Sequence, residues 1–185
     1  FAAAAHGHGV PLIVDNTFPT PVLCRPIEWG ADIVTHSTTK YMDGHGASVG
    51  GVIVDAGRFN WNAHADKFPG LTTPDESYHG VVYTERFGLE GAYITKATAQ
   101  LMRDLGSIQS PQNAFYLQLG LESLAVRMKR HCDNALTVAR FLRAGTKSHG
   151  SAMPDWKTTM IMHLRRNTAH RHPGGVLAFA LKGSR

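Results

Sequence analysis

The chain has 185 residues, 43% hydrophobic and 18% charged, a balance that excludes a disordered protein and bounds the chain to one domain or a domain plus part of another. No apolar run approaches the roughly 20 residues of a membrane span, so a soluble protein without membrane partners is expected. The net charge of +5 would suit nucleic acid, but the basic residues mostly alternate with acids and no recognised nucleic-acid module accompanies them, so no nucleic-acid partner is expected.

The first residues, "FAAAAHGHG", have no initiator methionine and no basic leader region, which suggests a chain that starts within a longer protein. His6 and His8 have metal-like spacing but no further ligands nearby, so no metal site is expected. "VPLIVD" (10–15) is a short apolar run ending in an acid, bounded by Gly9 and by "NTFPTP". Its length and β-branching predict a buried strand of the parallel type. "TPVLCRPIEWG" (20–30) is long enough for a short helical crossover closing on Gly30. "ADIVTHS" (31–37) and "SVGGVIVD" (48–55) supply a second and a third strand, so the pattern is that of an α/β sheet.

The stretch 56–80 has aromatics, prolines and glycines but no period, and is expected to be an ordered excursion. "GAYITKATAQLMRDLG" (91–106) predicts a helix. In "SPQNAF" (110–115), Ser110 is expected as N-cap and Pro111 at the first helical position. From about Leu117 to Ala144, Leu121, Leu124, Ala125, Met128, Cys132, Ala135, Leu136, Ala139 and Leu142 follow three-four spacing and form one apolar stripe. Arg127, Lys129, Arg130, Asp133 and Arg140 fall mainly off it. A helix of this length often bridges domains, so the chain divides at 1–120 and 121–185. Cys24 and Cys132 are the only cysteines. They read as packed thiols, exclude a Cys-based metal site and fit a reducing, cytoplasmic compartment. "GGVLAFALKG" (174–183) reads as a strand entered through a glycine pair, with an apparent cut after it.

Two residues stand where chemistry is possible. Asp15 ends a buried strand, the position at which open α/β sheets bind ligands, although a turn acid looks the same in sequence. Lys40 follows Ser37, Thr38 and Thr39 at the end of the next strand. Ser37 and Thr39 could aim their hydroxyls at one anion, and an adjacent lysine could act as a Schiff-base amine or sit idle in a turn. Taken together, the residues offer an amine, an acid and phosphate donors from neighbouring strand ends, which is the minimum set for pyridoxal phosphate. Neither the G-x-G-x-x-G dinucleotide fingerprint nor a Walker P-loop is present.

"VDNTFPTPVLCRPIEWGADIVTHSTTKYMDGHG" resembles the core of the Cys/Met-metabolism family of pyridoxal-phosphate enzymes. "DNTF", "GADIV", "HSTTKY" and "GHG" occur in order and at family spacing. The resemblance implies the large domain of a PLP-dependent transferase of the aspartate aminotransferase-like type, with a mostly parallel sheet, and the start of an α+β C-terminal domain. It implies Lys40 as the Schiff-base lysine, Asp15 as the partner of the pyridinium nitrogen, Thr17 beside the ring, and Ser37 and Thr39 as phosphate ligands. "GGVIVDAGRFNW", "FPGLTTPDESYHG", "RDLGSIQSPQNAF" and "GLESLAVRMKRHCDNAL" look most like the O-acetylhomoserine sulfhydrylase branch. That branch implies γ-replacement of acetate by sulfide on O-acetyl-L-homoserine, giving homocysteine, by a homotetramer built from dimers. Cystathionine γ-synthase, O-succinylhomoserine sulfhydrylase and methionine γ-lyase remain alternatives within the family. A non-catalytic α/β module holding a phosphate ligand is the alternative outside it.

The family's glycine-containing phosphate loop, ring-stacking aromatic and substrate-carboxylate arginine find no match, so the resemblance implies a fragment that is inactive alone. Residues 145–173 are anomalous. Where the family approaches a strand, this chain is polar and basic, and the likeness resumes at Gly174. A local reading-frame shift, opened near Gly145 and closed near Pro173, is the expected origin, and a divergent or nucleic-acid-binding insert is the alternative.

Overall fold

The computed structural model describes residues 1–148 and 174–177, with side chains through 141 and at 174–177. Helix α1 (Ala2–Gly7) leads into β1 (Ile13–Asp15), α2 (Thr20–Leu23) and a 3₁₀ turn (Pro26–Trp29) that ends at Gly30 with φ 98°. There the chain reverses in a left-handed conformation that glycine adopts without a Cβ penalty, as the sequence predicts. Strands β2 (Ile33–Ser37) and β3 (Gly51–Asp55) complete a sheet of order β1-β2-β3.

β1 and β2 are parallel, with Ile13 opposite Ile33 and Asp15 opposite Thr35. β3 runs antiparallel to β2, with Ser37 opposite Gly51. The third strand therefore departs from the parallel reading, and the reason is the connection. Residues 38–50 carry no helix that could bring the chain back to the start of the sheet, and a chain that turns without a crossover must pair antiparallel. Consequently the carboxyl ends of β1 and β2 lie together, and the loop bearing Lys40 leaves from the same end.

The excursion 56–80 is ordered, as expected, and it supplies much of the core. Phe59, Trp61 and Leu71 pack with Ile33, Tyr83 and Ala92, and Phe68, Tyr78 and Tyr93 close around them. Trp61 stacks on Tyr93 at 5.8 Å between ring centroids. Each such side chain contributes about 1.5–3 kcal/mol by leaving water.

The helix expected at 91–106 belongs to a longer helical stretch. It comprises α4 (Tyr83–Thr95), kinked at Gly88, a π-helical segment (Lys96–Met102) and α5 (Arg103–Leu105). Helix α6 (Pro111–Glu122) starts as predicted, with the Ser110 hydroxyl accepting from the Asn113 N–H at 3.1 Å and Pro111 in the first turn. The single long helix from Leu117 is instead two, because α6 stops at Ser123 and α7 spans Leu124–Ser148. Leu124, Met128, Cys132 and Ala139 are buried along one stripe of α7. Ala125, which the three-four spacing also placed on that stripe, is exposed. α7 packs against α2 and α6. Residues 174–177 are not in a strand. The rest of the predicted strand at 174–183, and the anomalous stretch 145–173 beyond Ser148, lie outside the described residues.

Candidate active site

Asp15 is exposed at the end of β1, and its carboxylate is fixed by the chain just after it. The Thr17 hydroxyl donates to Asp15 Oδ1 at 2.5 Å and the Thr17 N–H donates to the same oxygen at 3.0 Å. These two bonds, the hydroxyl first, hold the Asp15 carboxyl below the ordinary carboxylate value of 3.8, since donors stabilise the charged form. The Thr17 hydroxyl in turn accepts from the Ser37 N–H at 2.8 Å. Thr17 is buried and so acts as a tie between the two strand ends, one hydroxyl serving the acid of β1 and the backbone of β2. The Asn16 N–H adds a second tie, to the Thr35 carbonyl at 2.9 Å.

The loop after β2 presents the remaining predicted residues. Among the described residues the Ser37 side chain is half-buried and its hydroxyl has no partner. Thr39 differs. Its hydroxyl donates to the Gly50 carbonyl at 3.3 Å and accepts from the Gly50 N–H at 3.1 Å, closing the base of the loop. To ligate an anion it would exchange the longer of these bonds. Lys40 is exposed, and none of the ion pairs among the described residues engages its amine. Its N–H donates to the Ser37 carbonyl at 3.3 Å and its carbonyl accepts from Gly44 at 2.8 Å. The lysine therefore sits in a hydrogen-bonded turn whose first residue is itself bonded to Thr17.

Several residues that shape this site were not legible as such. Asp43 is buried, and its Oδ2 accepts from the N–H groups of His45 and Ala47 at 3.3 and 3.1 Å, holding the far side of the loop. His36 is buried on β2, and burial pushes its imidazole below the ordinary value of 6.5. Arg127 reaches from α7 into the loop, donating from Nη1 to the Tyr41 carbonyl at 2.8 Å and from Nη2 to the Met42 carbonyl at 3.4 Å. Tyr41 also donates its hydroxyl to the Gly175 carbonyl at 3.0 Å, a contact that bears on the loop from its other flank. The expected packing of Cys132 holds: it is fully buried, and burial pushes its thiol upward. His6 bonds Asp32 at 2.7 Å, and among the described residues no His, Cys, Asp and Glu cluster could hold a metal.

An apolar cavity of about 1040 Å³ lies elsewhere, between Ile13, Ile33 and Ile53 of the sheet and the Phe68–Leu71 and Tyr93–Met102 segments. Neither Asp15 nor Lys40 lines it. The chemistry-bearing residues stand instead at the strand ends. They fit the group that the resemblance implies: an ionised carboxylate pinned on one strand end and, on the next, a primary amine and a hydroxyl without partners among the described residues.

Comparison with known proteins places the chain. It matches the family described as Cys/Met metabolism PLP-dependent enzymes over residues 1–185. It is 42% identical to a homocysteine/cysteine synthase of Saccharomyces cerevisiae, over 97% of this chain and 40% of that protein. It is 43% identical to an O-acetyl-L-homoserine sulfhydrylase of Leptospira meyeri, over 95% of this chain and 41% of that protein. Among solved structures, a putative O-acetylhomoserine (thiol)-lyase of Campylobacter jejuni bearing a pyridoxyl-lysine monophosphate superposes with a TM-score of 0.75 at 34% identity, covering 96% of this chain and 44% of its own. The chain thus spans about 40% of the length of the curated relatives it matches. It belongs to the Cys/Met metabolism family of PLP-dependent enzymes.

Proposed function

We propose that the full-length protein is an O-acetylhomoserine sulfhydrylase, replacing the acetate of O-acetyl-L-homoserine with sulfide to give homocysteine. The observation that carries this reading is the pinned Asp15 carboxylate beside the Lys40 turn, in a chain whose relatives are named for that activity. Pyridoxal phosphate, when bound, supplies an electron sink that acidifies the substrate's Cα and Cβ. Lys40 would carry it through Nζ and, once released by the substrate amine, would take and return protons with that Nζ at Cα and Cβ. Asp15, kept ionised by Thr17, would hold the proton on the ring nitrogen, and Ser37, with Thr39, would bind the phosphate. On this reading the Thr17 hydroxyl orients Asp15 as well as lying beside the ring.

The same reading places the protein in the cytoplasm, which the free thiols of Cys24 and Cys132 support, and makes the full-length form a homotetramer of dimers. Phe115, Leu119 and Val126 leave apolar surface exposed on α6 and α7, of the kind that assemblies cover. Its domain boundary is proposed at 120/121, close to the break at Ser123. Among the described residues no helix is long and apolar enough to cross a membrane.

The test is an assay of the full-length enzyme with O-acetyl-L-homoserine and either sulfide or cysteine. Homocysteine formed from sulfide faster than cystathionine is formed from cysteine supports the proposal. Cystathionine as the preferred product would move the protein to the γ-synthase branch.

A further inference from the structure

We infer that Arg127 is the positioning residue of the Lys40 loop, setting where the lysine amine stands relative to Asp15. The inference rests on the proposed role of Lys40. Arg127 spends its guanidinium on backbone carbonyls and one hydroxyl and not on an acid. Nη1 donates to the Tyr41 carbonyl at 2.8 Å and Nη2 to the Met42 carbonyl at 3.4 Å, and these are the two residues that follow Lys40. Nη2 also donates to the Gly120 carbonyl at 2.7 Å and Nε to the Ser123 hydroxyl at 2.9 Å. The planar fork thereby joins two pieces of chain: the turn that carries Lys40, and the joint at which α6 ends and α7 begins.

The fit around it is close. Gly120 is buried against the loop, where an added Cβ would stand 2.2 Å from the Asp43 carbonyl oxygen. Gly44, at φ +75°, turns the loop over the guanidinium itself, where a Cβ would meet Nη1 at 2.5 Å. The α6 C-terminus leaves carbonyls without helical partners, and Arg127 satisfies one of them while carrying the loop carbonyls on the same group. A lysine keeps the charge but offers a point donor in place of the fork, so it cannot hold Tyr41, Gly120 and Ser123 at once. Movement at the α6–α7 joint is therefore felt at Lys40.

The test uses the full-length holoenzyme and its R127K and R127M variants. Each is reconstituted with pyridoxal phosphate, and the pH titration of the visible absorbance of the lysine–cofactor imine is recorded beside kcat and KM. The wild type must first show borohydride trapping on Lys40; if it does not, the reading of the site fails and not the inference. Given trapping, both variants are expected to shift the titration midpoint and to lose kcat about 100-fold, the scale of a misplacement of about 1 Å, with a smaller change in KM. M128A, which removes buried side-chain volume from α7 but none of the Arg127 hydrogen bonds to the loop, is expected to lower thermal stability and leave the midpoint in place. Should R127M fail to fold, R127K and S123A carry the same readout, S123A with a smaller shift in the same direction. Wild-type midpoints and wild-type kcat per folded site in R127K and S123A would overturn the inference.

Discussion

Replacing Gly120 by alanine separates helix propensity from tertiary contact, because the two push in opposite directions. Inside a helix, glycine to alanine is ordinarily stabilising by about 1 kcal/mol. Here the new methyl would stand 2.2 Å from the Asp43 carbonyl oxygen, 2.7 Å from that of Met42 and 2.8 Å from the Asp43 carbonyl carbon. All three are backbone atoms that cannot rotate aside. Carbon contacts are favourable only near 3.5–4.0 Å, so α6 and the loop must part by about 1 Å. Overpacking of this kind costs about 1–3 kcal/mol. With backbone on both sides the upper half of that range applies, leaving a net loss of about 1–2 kcal/mol after the propensity gain. At roughly 1 °C per kcal/mol for a chain of the full-length size, the melting temperature falls by about 1–2 °C. Gly7 is the internal control: it lies in α1 with nothing within 4 Å of an added Cβ, so G7A should be neutral or stabilising. Differential scanning calorimetry of the full-length variants reads both. G120A as stable as G7A would refute the docking of α6 on the Lys40 loop.

Removing the hydroxyl of Thr17 in T17V takes away the main donor to Asp15 and should raise its pKa toward the ordinary 3.8. Because the folded value is depressed, the stabilisation is present above the unfolded pKa and disappears as pH falls through the folded one. T17V should therefore be less stable than wild type at neutral pH, and its deficit should shrink in acid to the pH-independent loss of the acceptor for the Ser37 N–H, while T17S keeps the difference small; chemical denaturation at both pH values checks this. K96M should raise the Asp75 carboxyl, held at about 2 first by its bond to Lys96, toward 3.8. Its stability deficit should be present above the unfolded carboxylate value and fade as pH falls toward 2, which ¹³C-detected titration and denaturation follow. M128A opens a cavity at a fully buried position of α7 and should cost about 2–5 kcal/mol by denaturant titration. Among the cysteines, the half-buried Cys24 should react with a thiol reagent before the fully buried Cys132. At the nucleotide level, the frame adjacent to residues 145–173 should encode a segment like the family's; no such segment in either neighbouring frame counts against a frame shift.

The local elements were legible where side-chain chemistry decides them. β1 and β2 announce themselves as β-branched runs, although β1 is not the buried strand that the apolar run predicts, since Ile13 and Asp15 are exposed; the start of α6 is announced by its serine and proline. What was not legible depends on where backbone goes. The direction of β3 follows from a connection without a helix, which no residue pattern inside the strand encodes. The break at Ser123 interrupts a stripe that continues in phase on both sides, so periodicity runs through it. Arg127 was read as lying off that stripe, yet its partners are carbonyls 85 and 86 positions earlier. Carbonyls belong to every residue and leave no signature in sequence. The Gly120–Ser123–Arg127 spacing, three residues that span the joint, was the available sign. Of the predicted site, Asp15, Thr17 and Ser37 come together through side-chain and backbone bonds, and Lys40 follows on the same turn. The hydroxyl pattern also gives no sign that the Thr39 side chain engages Gly50 across the loop.

The central claim is that Lys40 is the residue that carries the cofactor. The full-length protein, incubated with pyridoxal phosphate, reduced with borohydride, digested and mapped by mass spectrometry, tests it directly. A pyridoxyl adduct is expected on the peptide containing Lys40 and absent from K40A. An adduct confined to another lysine, such as Lys67 or Lys96 beside the apolar cavity, with Lys40 unmodified, would contradict it.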